Sequence, residues 1–305
     1  MIRNFLFHRV FPQRDQLWDP MDVSLFDKCI SYITRNYEVV LLEDLIFSPE
    51  LHNKKKFATI LFDDGYKDNL LYAAPILDKY KCKASFYVVT DCIENNIVTW
   101  THILEHIFQY TSKSDINLTF DFLPDDLKVT RLINEDIRMD YLRKLIPFLK
   151  TLPHQQRNIV IETVRTTFSD IDLPRIMMNW RDLMELKNAG HYIGSHTVSH
   201  CMLGTMYDEG EIRNELILSA QAIEKNLGYF PKTISYPVGS YNDTTIRISK
   251  EAGYTIGLAV KQKLFDPDRE SVFEIPRIEL YNESWLKTKL RILNVIEPLK
   301  TLIRR

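Results

Sequence analysis

Two adjacent carboxylates, Asp63-Asp64, follow the run Phe57-Ala58-Thr59-Ile60-Leu61-Phe62 and precede Gly65. At the end of a buried strand such a pair stands at the mouth of a barrel, where sites are built. One aspartate can ligate a metal while its neighbour takes a proton from water on that metal. Consecutive strand residues point to opposite sides, so the pair can divide this labour only if the strand ends there, and Gly65 permits the turn. Asp-Asp-Gly is also a common helix start, and the segment alone allows that reading. A second segment, His196-Thr197-Val198-Ser199-His200, carries two histidines four apart. They share one face if the segment is helical, and a carboxylate from another strand end would complete a three-ligand set with open positions for water and substrate. A third segment, Ser235-Tyr236-Pro237-Val238-Gly239-Ser240-Tyr241, bends the chain sharply. It either aims backbone N–H groups at a developing oxyanion or is an ordinary turn between strand and helix.

The elements that must position these residues alternate. Residues 3–8 read as a short apolar strand, 22–35 as a helix with Val23, Phe26, Ile30 and Ile33 on one face, and Glu38–Leu42 as a strand. The 57–62 run, bounded by lysines on one side and carboxylates on the other, reads as a strand buried on both faces, as in parallel sheets. A helix over 68–81 and a strand over Ala84–Val89 continue a β-α-β rhythm. The rhythm breaks over 92–175, where helical patterns near 101–110, 135–150 and 154–168 suggest an insertion within one catalytic domain spanning 1–305. It resumes with a helix at 180–189, a strand at 190–195, a helix at 208–227, a strand at Thr233–Ser235, a helix at 243–252 and strands at Thr255–Val260 and Val272–Leu280.

The chain has 305 residues, 45% of them hydrophobic and 26% charged, with formal net charge −2. That balance argues against a nucleic-acid binder, which needs a broad basic face. Cys29, Cys82, Cys92 and Cys201 form no CxxC pair and read as reduced, buried thiols. The N-terminal apolar stretch is interrupted by His8 and Arg9, and no apolar run approaches the ~20 residues that span a bilayer; the expected location is cytoplasmic. Residues 286–305 read as a basic C-terminal helix with Leu286, Leu290, Leu293 and Ile296 at helical spacing. This stripe either packs on the barrel or makes a weak peripheral contact with an anionic membrane at its inner face.

Together the segments resemble the polysaccharide deacetylase family, the one with nodulation-B homology. Leu61-Phe62-Asp63-Asp64-Gly65 is similar to its first motif, His196-Thr197-Val198-Ser199-His200 to its second, and Gly190-His191-Tyr192-Ile193-Gly194-Ser195 to the context of the second. Phe5-Leu6-Phe7-His8-Arg9-Val10 and Ile275-Pro276-Arg277-Ile278 resemble the branch that includes the poly-N-acetylglucosamine deacetylases, in which motif order is permuted. The chain departs from the family at the third motif, with Ser235 where an arginine stands two residues before the proline and Val238 where a tyrosine follows it. The resemblance covers 3–90 and 176–280. It implies a distorted (β/α) barrel with a mainly helical insertion, and hydrolysis of the amide of an N-acetylated sugar, glycan or sugar-linked carrier in cell-surface glycan biosynthesis. It further implies a divalent metal, expected to be Zn²⁺, on Asp64, His196 and His200. Asp63 would be the general base, His8 the general acid for the leaving amine, and the Val238 N–H a donor to the oxyanion, with Arg277 replacing the arginine lost from the third motif.

Read alone, His8 is a buried core histidine and Arg277 half of a structural ion pair. Trp100, Trp180 and Tyr241 are candidates to stack on a sugar. His102 and His106 share the four-residue spacing, but no carboxylate-bearing strand end accompanies them. Two rival functions stand beside deacetylation: removal of a formyl or other small acyl group by the same site, and an inactive homologue that binds a glycan or partner.

Overall fold

The computed structural model describes residues 1–48 and 56–296. The chain opens with β1 (Arg3–Phe7), whose last four residues are buried. After a loop comes α1 (Val23–Asn36), which buries Phe26, Cys29, Ile30 and Ile33. Asp22 caps α1 by accepting from the Ser24 and Leu25 N–H groups, satisfying donors that a helix start leaves unpaired. β2 (Glu38–Val39) is shorter than the 38–42 strand expected, because the chain turns at Leu41 into α2 (Leu42–Ile46). Glu43 of α2 is the reason this turn is fixed. Its buried carboxylate accepts from Ser85 Oγ at 2.7 Å, Tyr87 Oη at 2.9 Å and Thr233 Oγ1 at 2.7 Å.

β3 (Phe57–Phe62) is buried at all six positions, as its unbroken apolar run requires. The expected helix over 68–81 is split into a π-helical turn, Asn69–Ala73, and α3 (Ala74–Lys79). Pro75, at the start of α3, has no N–H to continue the upstream ladder. β4 (Ser85–Val88) and α4 (Thr90–Asn95) follow.

The intervening stretch contains α5 (Trp100–Tyr110), β5 (Asp115–Asn117), α6 (Asp125–Lys128), β6 (Val129–Arg131), α7 (Glu135–Leu149) and α8 (His154–Thr167). The three long helices lie close to their expected positions. The antiparallel β5–β6 pair was not anticipated, since its three-residue strands are too short to show a period. The helices bury an apolar cluster around Leu104, Phe108, Leu142, Leu145, Val160 and Phe168, continuous with Tyr66, Val89 and Met202 of the barrel rim.

The rest of the chain supplies α9 (Trp180–Asn188), β7 (Tyr192–Ser195), α10 (Glu209–Leu227), β8 (Thr233–Ser235), α11 (Asp243–Glu251), β9 (Ile256–Leu258), β10 (Ile278–Glu279) and α12 (Trp285–Ile292). The principal sheet is parallel, in the order β10-β1-β3-β4-β7-β8-β9, with β2 also paired to β3. Residues 275–277, just before β10, exchange backbone hydrogen bonds with 257–261 after and within β9, so the curled sheet bends round toward a barrel. Pro276 cannot donate to a ladder, which is why the strand expected over 272–280 shortens to two residues. Gly194 on β7 is set by packing: a Cβ there would lie 2.5 Å from Tyr87 Cδ1.

α12 turns its leucines outward. Leu286, Leu290 and Leu293 are 69%, 36% and 38% exposed, whereas Thr288, Arg291 and Ile292 are buried. The stripe therefore does not pack on the barrel. Lys300, Arg304 and Arg305 lie outside the described residues. Among the described residues no helix is long and apolar enough to cross a membrane. All four cysteines are free and buried.

Candidate active site

The C-terminal ends of the parallel strands converge. His8 follows β1, Asp63 and Asp64 follow β3, and His196 follows β7, while Ser235 ends β8 with Val238 just beyond it. Asp64 Oδ1 lies 3.4 Å from His196 Nε2 and 3.4 Å from His200 Nε2. One ligand atom from each of the three residues falls within 4.8 Å of the others, and among the described residues no other group of three His, Cys, Asp or Glu side chains does so. All three are buried.

The two histidines do not meet on a helix. Residues 196–202 form a loop in which Thr197 (φ 68°) and His200 (φ 59°) adopt left-handed backbone, and Asp64 (φ 76°) does the same after β3. Non-glycine residues there are uncommon and carry strain of about 1–3 kcal/mol each. Something must hold that loop, and Glu215 of α10 does. Its carboxylate accepts from the Val198 N–H at 2.9 Å, the Ser199 N–H at 3.0 Å and Ser199 Oγ at 2.7 Å. Nothing in the spacing of Glu215 along its helix marked this role. Gly65, at φ 94°, has the freedom the strand end needs.

His196 Nδ1 lies 2.7 Å from the Ser235 carbonyl oxygen. Donation there fixes the proton on Nδ1 and turns the Nε2 lone pair toward Asp64. Burial presses on both imidazoles. In His200 burial wins and the pKa falls to about 3; in His196 the neighbouring Asp63 and Asp64 outweigh burial and raise it. Burial also pushes the Asp64 carboxyl up, but the two histidines pull it well below the usual carboxylate range.

The arrangement suits a divalent cation. Asp64 Oδ1 is buried with no hydrogen-bond partner, and at 3.4 Å its approaches to the imidazoles are electrostatic rather than hydrogen-bonded. A tetrahedral centre with bonds of about 2.0–2.1 Å spaces its ligand atoms about 3.3–3.4 Å apart. Two imidazole nitrogens and one carboxylate oxygen are the donor set of an open zinc site.

Asp63 sits beside this cluster, its Oδ2 4.0 Å from His196 Nε2. Arg277 Nη1 donates to both Asp63 oxygens at 2.9 Å, and Ser235 Oγ lies 3.1 Å from each. Arg277 Nε is held by the Ala259 carbonyl at 3.1 Å. Burial raises the Asp63 carboxyl, Arg277 and then His196 lower it, and the net shift is downward. Two residues at the departures from the family pattern, Ser235 and the distant Arg277, thus share one contact.

His8 lines the same cavity, with Nδ1 3.4 Å from Glu279 Oε1 and Trp18 edge-on at 5.1 Å between ring centroids. Tyr281 Oη donates to Glu279 Oε2 at 2.6 Å. Glu279 was missed in the sequence, although it follows Arg277 by only two residues. Trp18, in a loop without periodicity, gave no signal. Val238 borders the cavity at φ 58°, an outlier for a β-branched residue, and its N–H finds no acceptor among the described residues.

The proposed sugar platforms lie elsewhere. Trp100 packs in the apolar cluster of α5, α7 and α8 with Arg157 over its ring, Trp180 Nε1 donates to Glu94 at 2.6 Å, and Tyr241 stacks on Tyr236 at 4.8 Å. His102 Nδ1 pairs with Tyr66 Oη at 2.9 Å and His106 Nε2 meets the Asp172 carbonyl at 3.0 Å, so this histidine pair does not converge.

A family profile described as polysaccharide deacetylase matches residues 51–110 and 108–257, more than half of the chain. The chain belongs to the polysaccharide deacetylase family. A curated relative, the peptidoglycan-N-acetylglucosamine deacetylase of Bacillus cereus, is 26% identical over 145 residues, covering 48% of this chain and 44% of the relative. The chain thus spans less than half the length of the curated relative it matches. Among solved structures, the Streptococcus pyogenes deacetylase PplD in complex with acetate superposes with TM-score 0.63 at 18% identity, covering 95% of this chain and 97% of that one. IcaB from Ammonifex degensii does so with TM-score 0.59 at 15% identity, covering 95% and 96%. These structures share the family's (β/α) barrel fold with the chain.

Proposed function

We propose that the protein is a metal-dependent N-deacetylase that hydrolyses the acetamide of an N-acetylated sugar in a cell-surface glycan or its precursor. The observation that carries this reading is the buried Asp63 carboxylate, fixed by Arg277 and Ser235 beside the Asp64, His196 and His200 cluster. Zinc or a similar divalent cation, when bound by those three residues, acidifies water and polarises the amide carbonyl.

The remaining work falls to the chain's own side chains. Asp63 accepts a proton from water as the water oxygen bonds to the amide carbon. The Val238 N–H donates to the carbonyl oxygen as negative charge develops there. His8, oriented through Nδ1 by Glu279, gives a proton from Nε2 to the amide nitrogen, and the C–N bond breaks to release acetate and a free amine. Without that proton an amine anion would be a very poor leaving group.

The family membership and the acetyl-bearing relative favour acetyl over formyl. Incubating the zinc-loaded chain with tri-N-acetylchitotriose should release acetate and lower the product mass by one acetyl group. Release only from formylated amino sugars would replace this reading with deformylation, and no release from either would favour the inactive homologue.

A further inference from the structure

The helical insertion reaches into the active-site cavity. That cavity, of about 330 Å³, is bounded on one side by His8, Asp63, Asp64, His196 and His200. The same cavity is also lined by Glu105 of α5 and Lys150, the residue after α7. Both side chains are half-buried, yet neither the Glu105 carboxylate nor Lys150 Nζ has a hydrogen-bond or ion-pair partner among the described residues. They are near enough to feel one another, and Lys150 also feels the charges of Asp64 and Glu279 in the same lining. Charged groups are seldom withdrawn from water without partners, so two left open toward one cavity point to something that enters it.

The chemistry of the pair restricts what enters. An ammonium only donates hydrogen bonds, and a carboxylate only accepts them. Where Glu105 is ionised, an anion would satisfy Lys150 but be repelled by Glu105, and a cation would do the reverse. A hydroxyl both donates and accepts, and so serves both at once. Burial pushes the Glu105 carboxyl up to about 8. A hydroxyl suits either of its forms, donating to the carboxylate or accepting from the acid. A pyranose whose acetamide lies at the Asp64 cluster carries hydroxyls on adjacent carbons, and Trp18 gives the same cavity an aromatic wall.

Resting on the deacetylase reading above, we infer that Glu105 and Lys150 form a hydroxyl-recognition subsite that binds the amino sugar and positions it against Asp63 and His8. The insertion thereby sets specificity as well as enclosing the site.

The test uses the zinc-loaded full chain with tri-N-acetylchitotriose, its 3-deoxy and 6-deoxy analogues, and N-acetylglucosamine 6-phosphate. Hydrogen bonds to charged groups predict that Glu105→Gln and Lys150→Met each lower kcat/KM for the trimer about 10- to 100-fold, carried by KM. Bound zinc should be unchanged. One deoxy analogue should cost the wild type a similar factor and cost the variants little more, because the lost partner is the same. Lys150→Gln serves as a second variant if Lys150→Met melts early. Unchanged KM in variants that still deacetylate would overturn the subsite and leave the deacetylase reading standing. Preferential loss of the 6-phosphate by Lys150→Met, with a gain by Glu105→Gln, would overturn it in favour of an anion site. Collapse of kcat at constant KM would overturn it by placing Lys150 at the reacting atoms. Failure of the wild type to act on any probe would remove the deacetylase reading and the subsite with it.

Discussion

In the proposed reaction Asp63 is the base, and Arg277 and Ser235 each touch both of its oxygens, so the carboxylate is held ionised and in one orientation. Replacing it by asparagine preserves shape and removes the basic oxygen. Asp63→Asn should lower kcat about 10²- to 10⁴-fold while retaining one equivalent of zinc. Near-full activity would exclude Asp63 as the base, and loss of zinc would make it a ligand. The residue types here were legible in the sequence: Asp63, Asp64, His196 and His200 stand in short motifs where spacing alone suggests metal chemistry. Arg277 was reached only through family resemblance. Glu279 and Glu215 were not reached at all, because each acts through a contact between segments far apart in the chain.

At the scale of elements, the loop after β7 is the part most exposed to failure. It carries both histidines and places Thr197 and His200 on left-handed backbone, and Glu215 on α10 accepts three hydrogen bonds that oppose the strain. Outer partners of metal ligands are worth roughly 10- to 100-fold in metal affinity. Glu215→Gln should weaken zinc binding by about that factor, as read by competition with a chromogenic chelator; an unchanged affinity would show that the loop holds its shape without the charge. The spacing of His196 and His200 suggested a helix, and four-residue spacing is ambiguous in this way: two left-handed residues bring the side chains together as well as one helical turn does. The buried run of β3 and the faces of α1 and α5 were clear in the sequence because burial imposes a period. β2 and β10 were overread, since the turn into α2 and the missing N–H of Pro276 interrupt otherwise apolar stretches.

Over the whole molecule, the barrel joins strand ends that are far apart in sequence, and its stability carries a pH signature remote from the site. Burial pushes His191 down to about 4, and its Nδ1 accepts from the Ala84 N–H at 3.1 Å. An unfolded histidine titrates near 6.5. Between about 4 and 6.5 the unfolded chain therefore binds more protons, so this contribution to stability is complete above 6.5 and lost as pH falls toward 4. The melting-temperature advantage of the wild type over His191→Asn should shrink across that window; a constant difference would contradict a neutral buried imidazole. The same long-range assembly underlies the site itself, where the proposed ligands come from the turn after β3 (Asp64) and the loop after β7 (His196 and His200). X-ray absorption at the zinc edge of the loaded chain tests that convergence most directly. The account predicts two imidazole nitrogens with carboxylate oxygen at about 2.0–2.2 Å and no sulfur, whereas a sulfur shell near 2.3 Å, or a spectrum without imidazole, would contradict it.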